Sequence, residues 1–331
     1  MRGAAHELDW EWGGAEHAVV EHAGRRCLRL AGPGVLVSLR GLAAKAGTYR
    51  VEVAVPDART FHGVAWRIAD PARHESFFVR PHQVGNPDAV QYTPVFNGLS
   101  SWQLYHGEGF WRETLFPLGE WFPIEVVFDG DRAEITVADA PEPTLVTRLR
   151  LPPQAGAIGV LAGGDDLHVG TVAYDETVSF RAPPPPEPAA VDGAIREWWV
   201  STPFREGEAP DPDALDWTRL EAEPSGLVDL SRAHAIDGGR NTVYARAVLH
   251  AAGQTTARLE LGFSDRTLIS LNRRPLYRGD ATYRSRDYRF LGSIGWFDAL
   301  YLPLEAGENE LLVAVSEDFG GWGVQARIQA E

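Results

Sequence analysis

Apolar and polar residues alternate with a period of two along most of the chain. In the stretch TYRVEVAV, for example, Tyr49, Val51, Val53 and Val55 alternate with polar or small residues, which is the spacing of a strand with one buried face. Turn sequences separate such segments: Asn-Gly lies between AVQYTPVF and SSWQLYHG, and Asp-Gly-Asp lies inside WFPIEVVFDGDRAEITVAD. Long windows with helical spacing are absent from the sequence. The pattern therefore predicts an all-β protein made of β-sandwich, or jelly-roll, domains.

A proline-rich stretch divides the pattern into two sets of strands. Residues 181–190 read RAPPPPEPAA, and four consecutive prolines cannot enter a helix or a central strand because proline has no backbone N–H. We therefore predict one β-sandwich over residues 1–182, a stiff linker over 183–190 and a second β-sandwich over 191–331. Helix is expected only in short pieces near DPDAL (211–215) and LSRAH (230–234).

Composition narrows the classes of partner. The chain has 46 acidic and 31 basic residues and a net charge of −15. This charge repels a phosphate backbone and an anionic membrane, so we expect neither nucleic acid nor a membrane as partner. Cys27 is the only cysteine, which excludes an intramolecular disulfide and a cysteine-rich zinc site. The start MRGAAHELDWEWGG lacks an apolar signal core, so we expect a cytoplasmic protein. A secreted protein whose signal peptide has been removed would show the same sequence pattern.

Three stretches of the first half resemble the concanavalin A-like and laminin-G jelly rolls. They read FHGVAWRIADPARHESFFVRP, WFPIEVVFDGDRAEITV and GAIGVLAGGDDLHVGTVAYDETV, within roughly residues 45–181. In that family a hairpin of the form W…I.V.F.G precedes a closing strand of the form A.FD…V, and here Ala173, Tyr174, Asp175 and Val178 occupy the closing pattern. The RP…QY after the second hairpin is similar to the subgroup of 3-keto-glycoside hydrolase-type domains. The resemblance implies a curved sandwich and leaves the activity open.

The second half resembles the galactose-binding-like jelly rolls, including those appended to glycoside hydrolases. The resemblance covers about residues 197–329. It lies in NTVYARAVLHAAGQTTARLELGFSDRTLISLNRRPLY and in LEAGENELLVAVSEDFGGWGVQARI. Domains of this family commonly bind glycans or serve as structural modules, so the resemblance implies one of these two roles.

Polar residues on neighbouring strands of the first domain form the main candidate ligand site. Alternate side chains of a strand face the same side, so Arg80 shares a face with Phe78, away from Val79. Arginine and glutamine form forked hydrogen bonds with vicinal hydroxyls, which favours a sugar ligand. The alternative is an ordinary solvated face of an antiparallel sheet. The residues predicted to line this concave face are Arg80, Gln91, Gln103 and Tyr105, with Val79, Leu104 and either Tyr92 or Val90 facing the core. Tyr92 is a further predicted ligand-binding residue.

His82 and Asp88 are the candidate catalytic residues. Histidine can act as a general base near neutral pH, and Asp88 is expected to orient it. The alternative is a loop histidine that caps the turn at Asn86-Pro87-Asp88. The E-x-D-x-E carboxylates of glucanases are absent from the sequence, which disfavours a two-carboxylate hydrolase. Whether the chain is an enzyme stays open at this stage.

Three aspartates are candidate ligands of a structural calcium ion. Asp165 and Asp166 lie in GGDDLH, and Asp175 lies in the closing pattern. Jelly rolls hold calcium with oxygen ligands of this kind, and the alternative is a polar turn. The sequence implies no other cofactor.

Arginines are concentrated in NRRPLYRGDATYRSRDYRF, residues 272–290. Such a basic cluster can clamp a carboxylate or phosphate bidentately, or it can pair with acidic residues of the first domain. SEDFGGWG, in addition, places Phe319 and Trp322 on a glycine-rich turn. We predict that Arg284, Arg286 and Trp322 border a ligand site at the domain junction.

These features support three hypotheses of function. The first is a carbohydrate-binding or carbohydrate-processing protein, with a small-molecule or glycan ligand. The second is an intracellular enzyme of the cyclase, hydratase or lyase type that acts on a non-sugar metabolite between the two domains. The third is a structural or interaction module without catalytic activity. The sequence predicts no oligomeric state.

Overall fold

The computed structural model describes residues Met1–Gln329 and consists almost wholly of antiparallel strands. The predicted all-β class is therefore confirmed. The strands of the first part of the chain are β1 (Arg2–Ala4), β2 (Trp10–Glu11), β3 (Glu16–His22), β4 (Arg25–Leu39), β5 (Gly47–Ala54), β6 (His62–Asp70), β7 (Arg73–Val79), β8 (Val90–Phe96), β9 (Leu99–Ser100), β10 (Trp111–Arg112), β11 (Phe122–Asp129), β12 (Arg132–Val137), β13 (Leu145–Arg148) and β14 (Ala157–Asp175).

The long strand β14 organises the first of two compact units, which comprises Met1–Val95 and Tyr105–Pro186. The strands follow the order β10-β8-β7-β6-β14-β5-β11-β12-β13. Strand β4 pairs along one edge of β14, while β6 pairs with the first part of the other edge and β5 with the second part. Because the two parts of β14 have different neighbours, the sheet folds over one apolar core.

Alternate residues of these strands fill that core, as the period of two predicted. Tyr49, Val51 and Val53 of β5 and Ile124 and Val126 of β11 are all buried there. The two predicted turns are also present. Asn97 and Gly98 have positive φ values of 50° and 81°, as a tight two-residue turn requires. The β11–β12 hairpin turns at residues 129–132.

The second unit comprises Phe96–Leu104 and the chain from Glu187 onward. Two sheets, in the orders β16-β15-β18-β23-β20-β21 and β17-β24-β19-β22, share one apolar core. Its strands are β15 (Glu197–Ser201), β16 (Trp217–Glu221), β17 (Leu227–Asp229), β18 (Thr242–Ala251), β19 (Thr255–Ser264), β20 (Arg266–Leu271), β21 (Arg274–Asp280), β22 (Asp298–Leu304), β23 (Gly307–Ser316) and β24 (Gly323–Gln329).

The segment Phe96–Leu104 belongs to the second unit although it precedes the proline-rich stretch in the chain. The Asn97 amide donates to the Ser231 carbonyl at 2.7 Å, and the Ser101 hydroxyl donates to the Asp229 carboxylate at 2.7 Å. The sequence predicted a strand over SSWQLYHG, which is wrong: β9 has only two residues, and turns follow it. The domain and linker boundaries derived from the sequence stay a prediction.

In the described residues, helix is confined to single 3-10 turns. They lie at Ala5–Glu7, Pro81–Gln83, Pro212–Ala214 and Leu230–Arg232. The last two confirm the short helices predicted near 211–215 and 230–234. Within residues 1–329, no helix is long and apolar enough to cross a membrane.

Candidate functional site

Arg80 lies at the centre of a polar network next to strands β7 and β8. Its guanidinium donates to the side-chain oxygen of Gln91 and, at 2.6 Å, to the carbonyl of Asp88. The Gln91 amide in turn donates to the Tyr105 carbonyl at 2.6 Å. The Phe78 ring lies 4.8 Å from the guanidinium carbon. The structure therefore brings Arg80, Gln91 and Tyr105 together, as their predicted common face requires.

Burial distinguishes this network from the open groove that the sequence predicted. Arg80 is 5% exposed, Tyr105 1% and Gln91 0%. Burial also lowers the pKa of Arg80 to about 10, because a charged group loses its hydration there. The Arg80 guanidinium and the Gln91 side-chain amide already form hydrogen bonds with protein groups. The ligand-binding role of these three residues stays a prediction. Their side chains are buried, whereas the sequence predicted that they face an open groove.

Tyr92 and Gln103 lie outside this network. Tyr92 is on the opposite face of β8, where its hydroxyl donates to Glu75 at 2.6 Å inside the core. Adjacent residues of a strand face opposite sides, so Tyr92 does not share a surface with Gln91. Gln103 is a buried residue of the second unit, where it accepts from the Ser264 hydroxyl at 3.3 Å. Tyr92 therefore does not line a groove with Gln91, and the ligand-binding role of Gln103 stays a prediction.

His82 lies at the edge of the Arg80 network, in the Pro81–Gln83 turn. Its ring meets the Phe61 ring edge-on at 5.3 Å, and its buried Nδ1 has no hydrogen-bond partner among residues 1–329. Burial, with the positive charges of Arg59 and Arg80, lowers the pKa of His82, so its ring is neutral at pH 7. The Asp88 carboxylate lies 4.0 Å from Arg80. Asp88 contacts Arg80 rather than orienting His82, and the catalytic role of both residues stays a prediction.

The three candidate calcium ligands are not brought together. Asp166 pairs with Arg29 at 2.6 Å, whereas Asp175, further along β14, accepts from the Thr177 amide at 2.7 Å. The Asp165 carbonyl lies 3.0 Å from His62 Nε2. In the described residues 1–329, no group of three or more His, Cys, Asp or Glu side chains is placed to hold a metal ion. The structure thus gives the calcium prediction no geometric support.

The predicted binding residues of the second unit differ in exposure. Arg284 is exposed, with its guanidinium 4.9 Å from the Tyr283 ring. Arg286 forms an ion pair with Asp298. Trp322 is fully buried in the core, and its indole N–H donates to the Val315 carbonyl at 2.9 Å. The prediction that Trp322 lies on a surface turn is wrong, because its ring completes the core.

An open cleft of about 310 Å³ lies elsewhere on the first unit, and the sequence did not predict it. His168 of β14 stands beside Arg29 of β4 and Ala54 of β5. The alternation of His168 with the buried Leu167 and Val169 marks it as facing away from the core. The sequence contains no signal that joins it to His22, which is far away in the chain. The cleft is lined by His22, Val55, Pro56, Gly119, Asp166 and His168.

Two imidazole rings form one wall of this cleft, which we call the histidine cleft. The centroids of His22 and His168 lie 4.0 Å apart, with 15° between the ring planes. His22 Nε2 lies 2.9 Å from the Gly119 carbonyl, which can only accept, so Nε2 carries the proton. Trp121 meets His22 edge-on at 5.8 Å. Burial and the neighbouring His22 lower the pKa of His168, which therefore keeps a neutral ring at pH 7.

Charges around the histidine cleft are paired. Arg29 donates to Asp166 at 2.6 Å, and this pairing lowers the pKa of the Asp166 carboxyl. Arg25 pairs with Glu52 at 3.2 Å and lies over the Trp121 ring at 5.5 Å. The cleft therefore offers ring faces, hydrogen-bond donors and acceptors, with little net charge.

The comparisons with known proteins identify no family. No protein-family model matches the chain, and no curated protein matches it. The resemblances to the two jelly-roll families therefore stay predictions at the level of family.

Similar solved structures include sugar-binding proteins. A carbohydrate binding module, CBM66, from Bacillus subtilis is 14% identical, with a TM-score of 0.42 over 51% of this chain and 97% of that one. The galectin LEC-6 from Caenorhabditis elegans is 17% identical, with a TM-score of 0.33 over 44% and 95%. The VIP36 exoplasmic/lumenal domain in a Ca²⁺/Man3GlcNAc-bound form is 10% identical, with a TM-score of 0.35 over 53% and 86%. At TM-scores below 0.5 these likenesses decide neither a ligand nor its position.

Proposed function

We propose that the first unit binds a neutral carbohydrate of about monosaccharide size in the histidine cleft. The observation that supports this most is the cleft of about 310 Å³ between the stacked His22 and His168 rings and the Asp166–Arg29 pair. Small-molecule sites are typically ~300–1,000 Å³, with apolar walls and a few polar groups. The histidine cleft lies at the small end of that range.

The chemistry of the walls suits a sugar. A pyranose ring has C–H groups on its faces and hydroxyl groups around its rim. Val55 and Pro56 offer apolar contacts, and the rings of His22 and His168 combine a flat face with polar nitrogen atoms. The Asp166 carboxylate can accept from hydroxyl groups through oxygen positions that Arg29 leaves open.

The balance of charge argues for a neutral ligand. Asp166 and Glu52 each have an arginine partner, and the His168 ring is neutral at pH 7. A charged ligand would have to compete with these existing pairs. A hydroxyl group, by contrast, can donate to the carboxylate and accept from the guanidinium of one pair.

Calorimetric titration with a panel of neutral monosaccharides and disaccharides tests the proposal. We expect the wild-type chain to bind at least one panel member. His168→Ala and His22→Ala should each weaken that binding at least ~10-fold, a loss of ~1.4 kcal/mol. Asp166→Asn should weaken it by a similar factor, because hydrogen bonds to charged groups contribute ~1.5–3 kcal/mol.

His17→Ala is the matched control. His17 lies on the same strand as His22, its ring stacks on Trp12 at 3.7 Å, and it lies outside the cleft. This variant should retain wild-type affinity. Failure of the wild-type chain to bind any sugar would contradict the function and favour a structural module. Sugar binding that survives in both cleft variants but is lost in a folded Arg80→Ala variant would place the site at the Arg80 network instead.

A further inference from the structure

We propose that the loop after strand β21 binds an acidic polysaccharide, one whose sugar residues carry carboxylates. This loop, residues 282–290, reads TYRSRDYRF and contains the dipeptide Tyr-Arg twice. In both copies the guanidinium lies over the preceding ring: Arg284 is 4.9 Å from the Tyr283 centroid, and Arg289 is 5.3 Å from the Tyr288 centroid. We call these two pairs the Tyr-Arg pairs.

Both Tyr-Arg pairs are open to solvent. Tyr283 is 45% exposed and Tyr288 is 76% exposed, and both arginines are exposed as well. An exposed tyrosine ring gains the free energy of burial only when a partner covers it. A surface that presents two such rings is therefore suited to a partner with flat faces. A hydrogen bond of 2.8 Å from the Arg284 amide to the Phe290 carbonyl closes the loop and brings the two pairs into adjacent turns.

The two guanidinium groups lack anionic partners in the described chain, residues 1–329, although the chain as a whole is strongly acidic. Two neighbouring arginines do have them: Arg273 pairs with Asp213 at 2.6 Å, and Arg286 pairs with Asp298. Arg284 and Arg289 form no ion pair with any residue that the structure describes. Their N–H groups therefore remain available for a carboxylate, which arginine binds in a planar, two-pronged arrangement.

The acidic residue inside the loop does not neutralise these arginines. The Asp287 carboxylate accepts from the backbone amides of Arg289 at 2.6 Å and Phe290 at 3.1 Å. This is an Asx-type turn, in which a side chain shapes the loop backbone. The carboxylate thus supports the conformation that presents Tyr288 and Arg289.

The arrangement matches a polymer of uronic acids better than a nucleic acid. Each Tyr-Arg pair offers one ring face for a sugar and one guanidinium for its carboxylate, so two pairs suit two sugar residues. Double-stranded nucleic acid has one charge per ~1.7 Å of helix axis and needs many cationic contacts for tight binding. Within the described residues, the loop has two cations without an ion pair, on a chain of net charge −15.

The experiment measures binding of the whole chain to a galacturonate tetramer at low salt, with the carboxyl-reduced tetramer as comparison ligand. We expect binding of the acidic tetramer only, and weaker binding as salt is added. The Arg284→Gln/Arg289→Gln double variant should lose at least tenfold in affinity, and Tyr288→Ala should lose several-fold. Arg273→Gln is the matched control, because Arg273 lies just before this loop but already has carboxylate partners.

The remaining variants separate this proposal from the neutral-sugar proposal. His168→Ala should leave tetramer binding unchanged, and the double variant should leave neutral-sugar binding unchanged. Equal affinity for the acidic and the reduced tetramer, or undiminished binding by the double variant, would overturn the assignment. Tighter binding of a single-stranded RNA oligonucleotide than of the uronate tetramer would do the same and would make the loop a nucleic-acid surface. The substituted side chains are exposed, so thermal melting should show unchanged folding.

Discussion

At the scale of single residues, the second unit holds two carboxyl groups away from water. Glu317 is 0% exposed and Asp265 is 4% exposed. One Glu317 oxygen accepts from the Gly321 amide at 3.2 Å, and the other has no hydrogen-bond partner in the part of the chain that the structure describes. Burial and the neighbouring Asp265 raise the pKa of Glu317 to about 9, and burial raises the pKa of Asp265 to about 6. Glu317 is therefore protonated at neutral pH.

This raised pKa predicts how stability depends on pH. A carboxyl group whose pKa is higher in the folded state contributes stability below its unfolded pKa, and that stability is lost as pH rises through the folded pKa. For Glu317 this window runs from 4.5 to about 9. We expect the unfolding free energy of Glu317→Gln to rise relative to that of the wild type as pH increases. Near pH 9 the variant should be ~1–3 kcal/mol more stable, because an amide has no charge to bury.

Denaturant unfolding at pH 5, 7 and 9 measures this difference. Glu120→Gln removes a carboxylate at an exposed position and serves as the control. A difference between Glu317→Gln and the wild type that stays constant across the three pH values would show that Glu317 does not titrate in this window.

At the scale of elements, an irregularity in β14 positions the histidine cleft. The register between β14 and β4 shifts at Ala162/Gly163 and again at Gly164/Leu167. Gly164 has φ = +134°, a backbone conformation that L side chains rarely adopt. The extra residues of such a bulge re-aim the side chains that follow. Here they place Asp166 next to Arg29 and His168 in the cleft.

Gly163→Ala tests the role of this bulge. A Cβ at position 163 would collide with the Phe61 carbonyl. The Phe61 amide also donates a hydrogen bond to the Gly163 carbonyl, which holds the two backbones together. We expect a loss of ~1–3 kcal/mol in unfolding free energy, because neither backbone can move freely, together with weaker neutral-sugar binding. Gly253→Ala is the control, since its Cβ would meet no atom within 4 Å. Unchanged stability of Gly163→Ala would mean that the bulge adapts to a side chain.

At the scale of the whole molecule, the second unit depends on a segment from early in the chain. Ser101 supplies a hydrogen bond to Asp229, a fully buried carboxyl whose pKa burial raises to about 6. The Leu104 side chain lies directly over Gly323. A fragment of residues 187–331 lacks both contacts, which leaves a buried acceptor with one donor fewer and removes an apolar contact.

We therefore expect that fragment to melt at a higher temperature when a peptide of residues 96–104 is added in excess. A ligand that binds only the folded state stabilises it by mass action. The same peptide with Ser101→Ala and Leu104→Ala is the control and should stabilise less. Identical melting of the fragment with and without the peptide would contradict the dependence on this segment.

The local features of this protein follow from short stretches of its sequence. The period of two in TYRVEVAV determined which side of β5 is buried, because each residue's direction in a strand depends only on its position. The Asn-Gly and Asp-Gly-Asp turns and the two short helices were equally visible, since backbone geometry within four residues specifies them. Alternation also placed Arg80 and Gln91 on one face, where they do hydrogen-bond to each other.

The exposure of these faces to solvent, and the contacts between residues far apart in the chain, depend instead on the tertiary fold. Arg80 and Gln91 are buried because other parts of the chain cover their face, and no local pattern records that cover. His22 and His168 stack because β3 and β14 both pair with β4, and pairing between strands far apart depends on how the whole core packs. For the same reason Trp322, on a polar glycine-rich turn in the sequence, lies in the core of the second unit.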